Sequence, residues 1–185
     1  MIDEIMLDVD ERMAKALESF EYNMKSVRTG RATPSLVEDV KVQYYGTPTP
    51  LYQIATISAP DANTLLIKPF DPSNVPDIRK GINQANLGLN PTDREGQIYL
   101  SIPSLTEESR RALTKDVSRK TEDGRVSIRN VRREAISDIR DMEKEKMISE
   151  DESHRVQDQV QEKTDDYIKK LEELAKNKEK EIMTI

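Results

Sequence analysis

The fold class this sequence predicts is α+β: an elongated three-helix bundle formed by both chain ends, with a small β/α/β domain inserted between the first helix and the second. Two observations predict it. All nine Pro lie between Pro34 and Pro103 and five of the six Gly between Gly30 and Gly96, so two ends nearly free of breakers flank a turn-rich middle in the 185-residue chain. Apolar and charged residues each make up 35%, which suits helices that bury one stripe apiece and is too few apolar residues for a compact α/β enzyme.

In the first segment, Met6, Val9, Met13, Ala16, Phe20 and Val27 fall on one side of a helix expected to end near Thr29–Gly30. Asp3 and Glu4 complement its dipole. In the middle, the alternation around Val40, Val42 and Tyr44 predicts a strand, as do the β-rich runs 54–58, 65–68 and 97–102. Val75, Ile78, Ile82 and Ala85 predict a short helix, with Gly88 placed to close it in a left-handed cap. In the last segment Thr106 can cap a helix running to about Met147, which at 1.5 Å per residue is roughly 60 Å long. Its stripe is Leu113, Val117, Gly124, Ile128, Val131, Ala135 and Met142. Ser149 and Glu152 then predict a capping box that opens a final helix striped by Val156, Val160, Tyr167, Leu171, Leu174 and Ile182.

The expected domains are therefore 1–29 with 105–185 for the bundle and 31–103 for the insertion. Hinges are expected at Gly30–Arg31 and at Pro103–Ser104, since paired short crossings without a shared core permit rigid-body rotation. Firmly packed domains, with these residues as ordinary caps and turns, are the alternative.

Several chemistries are excluded by inventory. Without Cys there is no disulfide, thiolate metal site or thiol nucleophile. Neither GxxxxGK nor GxGxxG occurs. The single His, His154, lies among Glu150, Asp151 and Glu152 with no second His to share a metal, so no metal or other cofactor is expected. No run approaches the roughly 18 apolar residues of a membrane span, and the acidic start MIDEIMLDVDE is unlike a signal peptide, so the protein is expected in the cytoplasm.

The net charge of −6 conceals an asymmetry. Residues 110–133 hold nine Lys or Arg against three Asp or Glu, whereas residues 134–185 hold ten against sixteen. On a straight helix Arg111, Lys115, Arg119, Arg125, Arg129 and Arg133 fall within about 120° of arc, opposite the apolar stripe. Arg110 and Arg132 flank this face. Planar guanidinium forks suit phosphate better than Lys does, so the stretch points to a localised nucleic-acid docking surface. A solvated face balanced by acidic neighbouring helices is the plainer reading. The segment Tyr44 to Leu51, YYGTPTPL, reads either as a stiff turn or as an exposed Tyr pair that stacks on a partner.

Five segments, RTGRA (28–32), YYGTPTPL (44–51), LGLNP (87–91), LTEE (105–108) with Arg110–Arg111, and SIRNVRR (127–133), together resemble the bacterial ribosome recycling factor family. The resemblance implies an L-shaped, tRNA-like outline and a monomeric translation factor without enzymatic activity. Such a factor enters the ribosome after peptide release and, with the GTPase elongation factor G, separates the subunits. It implies further that the bundle lies against large-subunit rRNA, with Arg132, Arg129 and Arg110 at the contacting positions; Arg133, on the same cationic stretch, completes the expected rRNA-binding set. The bundle would act as a stiff lever while the inserted domain swings. A coiled-coil module that dimerises through its heptad stripes is the alternative from another class, and a hydrolase in the middle domain lacks any nucleophile–base pair.

Overall fold

The computed structural model describes residues 1–184, and the chain divides into two compact units: Met1–Val27 with Glu108 onward, and Arg28–Glu107. Apart from its connections the first unit is helical, built from α1 (Ile2–Lys25), α3 (Glu107–Lys144) and α4 (Glu150–Met183); α2 (Val75–Gln84) belongs to the second unit. Val9, Met13, Phe20 and Met24 of α1, Val117, Ile128, Val131 and Ile139 of α3, and Val156, Val160, Leu171 and Ile182 of α4 are buried in one common core. The three stripes thus satisfy one another within a single chain, each fully buried Val, Leu or Ile contributing about 1.5–3 kcal/mol.

Three buried positions of the bundle are polar: Thr121, Ser153 and Thr164. Thr121 and Thr164 fill gaps in the apolar stripes of α3 and α4, and each hydroxyl donates to the carbonyl four residues earlier, Val117 and Val160, at 2.7 Å. That back-bond satisfies the group, so burial costs little. At Gly124 the helices approach closely: a Cβ would stand 2.6 Å from Leu171 Cδ1 and 3.4 Å from Phe20 Cδ2. A larger residue here would push α3 away from both other helices.

The helix ends differ from expectation in instructive ways. α1 stops at Lys25, short of Gly30, because Ser26 caps it: the Ser26 hydroxyl donates to the Asn23 carbonyl at 2.7 Å and its N–H to that of Tyr22. α3 stops at Lys144 rather than Met147. Lys146 takes the left-handed conformation (φ +59), its N–H bonding Glu143 O and that of Met147 bonding Met142 O, which makes a Schellman cap without glycine. Ser149 then opens α4 with both bonds of the capping box to Glu152 in place.

The second unit holds β1 (Lys41–Tyr44), β2 (Thr47–Pro50), β3 (Ala55–Asp61), β4 (Thr64–Pro69), α2 (Val75–Gln84), β5 (Pro91–Arg94) and β6 (Gln97–Ser101). β1 and β2 form a separate antiparallel hairpin, and the other four strands an antiparallel sheet in the order β3-β4-β6-β5. Leu65 and Ile67 face Leu100 and Ile98 across β4 and β6, and all four are fully buried with Val42, Leu51 and α2's Ile78 and Ile82. α2 closes before Gly88: Asn86 (φ +51) adopts the left-handed position first, since Asn tolerates it nearly as well.

Candidate nucleic-acid interface

α3 positions every residue of the cationic stretch on one continuous 38-residue helix. Its central part is held by the protein's own carboxylates. Arg119 meets Asp116 at 2.7 Å and Asp123 at 3.8 Å, and Lys120 meets Asp116 at 2.9 Å. Hydrogen bonds from Arg119 and Lys120 keep the Asp116 carboxyl below its usual range. Arg125 reaches across to α4, where Glu172 accepts at 2.9 Å, and also meets Glu122 at 3.1 Å. Burial pulls the Arg125 guanidinium down, yet the bonds to Glu172 and Glu122 outweigh it and leave it raised. Glu122 also reaches Arg129, at 3.5 Å.

Beyond Arg129 the arrangement changes. Arg132, half-buried, donates to the neutral Gln161 Oε1 on α4 at 3.2 Å, and the exposed Arg133 donates to Asn130 Oδ1 at 3.3 Å. Together with Arg140 and Lys144 they border an open groove between α3 and α4. Neither Arg132, Arg133 nor Arg140 forms an ion pair with a carboxylate among the described residues, and the groove's Asp141 is engaged by Lys144 at 3.0 Å. Nearby Glu134 is taken by Arg12 of α1, whose guanidinium pKa is raised chiefly by that bond.

Of the residues expected to bind rRNA, Arg129, Arg132 and Arg133 lie within about one turn, whereas Arg110 stands 19 residues earlier, about 28 Å along the helix axis. Arg140, Lys144 and Gln161 escaped the sequence reading. Arg140 and Lys144 continue the face of Arg129 and Arg133 at helical spacing, a signal lost once Glu134, Asp138 and Asp141 diluted the local charge. Gln161 carries no charge to attract notice.

At the crossings, Gly30 has φ +74, and a Cβ there would press on Leu105 Cγ at 3.1 Å, so both conformation and space require glycine. Next to it the Ala32 N–H donates to Ala62 O at 2.8 Å, and on the other crossing the Ile102 N–H donates to Asn63 O at 2.7 Å. Arg31, Pro103 and Ser104 are exposed, and all four expected hinge residues lie within the Arg28–Glu107 unit. Tyr44 and Tyr45 meet edge to face with centroids 4.6 Å apart, and of the two only Tyr45 is exposed. Tyr44 ends its strand and Tyr45 enters the turn, where Tyr45 and Gly46 both have positive φ, and TPTP after it is a strand rather than the expected turn.

His154 is exposed beside Glu150, 3.8 Å away. Among the described residues no group of three or more His, Cys, Asp or Glu could hold a metal ion, and no helix is long and apolar enough to cross a membrane.

The sequence family described as "Ribosome recycling factor" matches residues 20–183. A "Ribosome-recycling factor" of Symbiobacterium thermophilum is 50% identical over 185 residues, 100% of each chain. Among solved structures, the solution structure of a ribosome recycling factor is similar with a TM-score of 0.84 and 41% identity, covering 100% of this chain and 98% of that one. A second, described as models for the T. thermophilus ribosome recycling factor and the E. coli elongation factor G bound to the E. coli post-termination complex, matches with a TM-score of 0.71 and 43% identity over 98% of each chain.

Proposed function

This chain belongs to the ribosome recycling factor family, and from that premise we propose that it is a translation factor that recycles ribosomes after termination. It does so without enzymatic chemistry of its own, in the cytoplasm and as a monomer, by splitting post-termination complexes together with elongation factor G. The bundle grips large-subunit rRNA through Arg129, Arg132 and Arg133, with Arg110 as a separate, more distant contact. The inserted domain moves about Gly30–Arg31 and Pro103–Ser104.

The observation that carries this reading is the contrast along α3. Arg132, Arg133 and Arg140, which form no ion pair with a carboxylate among the described residues, give an otherwise acidic chain a surface that phosphate would complete, and Arg129 at its edge is held only by Glu122 at 3.5 Å. The related factor described on a post-termination complex with elongation factor G supports the same partners.

Cosedimentation with large ribosomal subunits across a salt series tests the anchor. Affinity should fall with a log–log slope of about −0.7 per phosphate neutralised; binding indifferent to salt would refute an rRNA contact. For the moving domain, the chain's lack of cysteine allows a single engineered disulfide across the two units. Locked protein should bind ribosomes normally and fail to separate subunits until reduced. Full splitting activity in the locked state would refute the motion.

A further inference from the structure

Two arginines of α3 reach across to α4, and they meet different chemistry. Arg125 meets the carboxylate of Glu172; seven residues on, Arg132 meets the amide of Gln161. We propose that Gln161 is a positioning residue for Arg132: it aims the guanidinium into the α3–α4 groove while leaving its charge undischarged for an RNA phosphate. The proposal deepens the rRNA-anchor reading and rests on it.

The amide can point only one way. Arg132 is purely a donor and the ionised carboxylate of Asp165 purely an acceptor, so a side chain joining them must accept on one side and donate on the other. Gln161 does both, with Oε1 taking the Arg132 bond at 3.2 Å and Nε2 donating to Asp165 Oδ1 at 2.9 Å. Among neutral side chains, an amide matches this double demand with one planar group. A glutamate at the same position would be nearly the same shape, but would pair with Arg132 as Glu172 pairs with Arg125. The groove's remaining charges fit a phosphate site. Arg133, Arg140 and Lys144 line it, Asp141 is held by Lys144, and Glu134, though adjacent in sequence, is bonded to Arg12. Ser137 adds a hydroxyl. Arg132 is the half-buried member of the set, so its direction is set by what it touches rather than by solvent.

The experiment uses the full chain and purified large ribosomal subunits, measuring affinity and its salt slope alongside thermal stability. Gln161→Glu should lower affinity about 5- to 10-fold and flatten the salt slope by up to about one phosphate's share, with thermal stability lowered only slightly as the Gln161–Asp165 hydrogen bond gives way to a surface i,i+4 carboxylate pair. Gln161→Leu keeps the charge and removes the aim, so affinity should fall about 2- to 5-fold with the slope retained. In an Arg132→Gln background neither change should have any further effect. Wild-type affinity and slope for Gln161→Glu, while Arg132→Gln alone binds weakly, would overturn the positioning role and leave the anchor standing. An equal loss with and without Arg132 would also overturn it, since the introduced carboxylate would then be repelling phosphate directly. Were Arg132→Gln itself to bind normally, the anchor reading and this proposal would fall together.

Discussion

The two halves of α3 carry the same residue type to different ends. From Asp116 to Arg129 the arginines are taken by the protein's own carboxylates: Arg119 and Arg129 pair with Asp116, Asp123 and Glu122 of α3 itself, and Arg125, through Glu172, fastens α3 to α4. From Arg132 to Lys144 the fastening passes to α1. Arg12 takes Glu134 of α3, while Asp10 takes Lys163 of α4 at 2.8 Å and the Tyr167 hydroxyl at 3.1 Å. The difference teaches that charge count alone does not locate a binding surface. A carboxylate on a neighbouring helix decides whether an arginine is part of the scaffold or available to a ligand.

The sharpest way to break this comparison is Arg132→Glu, which should weaken large-subunit binding by about 10- to 100-fold, well beyond the loss of one phosphate contact. Arg125→Glu should be far milder, because Arg125 is already neutralised; similar losses in a binding titration would erase the distinction between the halves. Next in size is Gly124→Val, which should destabilise the bundle by about 1–3 kcal/mol through overlap with Leu171 and Phe20. Chemical denaturation would measure it, and an unchanged midpoint would mean that Arg125 reaches Glu172 without the close approach described.

A smaller effect tests the α1 fastening. Hydrogen bonds from Lys163 and Tyr167 hold Asp10 below the usual carboxylate range. A depressed pKa contributes stability that is present above the unfolded-state value of about 4 and lost as pH falls through the lower folded value. Asp10→Asn should therefore cost at most about 1 kcal/mol at neutral pH, the pair being partly exposed and screened. The difference from wild type should vanish in strong acid, and a thermal-melt series across pH would show it. Least of all, Lys146→Gly should stabilise by about 0.5–1 kcal/mol, relieving the left-handed strain at the end of the free half. Calorimetry would detect that gain; a loss would mean that Lys146 makes a compensating contact.

Much of the architecture was legible because periodicity and breakers are local signals. The three stripes, the Ser149 box and the segregation of Pro and Gly needed no tertiary information. Two strands were missed for a common reason: β2 contains Pro48 and Pro50 and β5 begins with Pro91, and proline reads as a breaker until the strand is known to lie at an edge. Thr121 and Thr164 were passed over because their burial depends on a back-bond that composition does not announce. For the site, the cationic helix was visible and its division was not. Which arginines are discharged depends on the antiparallel alignment of α3 with α4, which brings position 172 opposite 125 and position 161 opposite 132.

The turn between β3 and β4 has a mechanical role. Its consecutive residues Ala62 and Asn63 hold the two segments of chain that enter and leave the inserted unit, one through Ala32 and the other through Ile102. Entry and exit are thereby moored at one quay. Lengthening a hairpin tip is ordinarily among the most tolerated of changes, but here an added residue would displace both moorings at once.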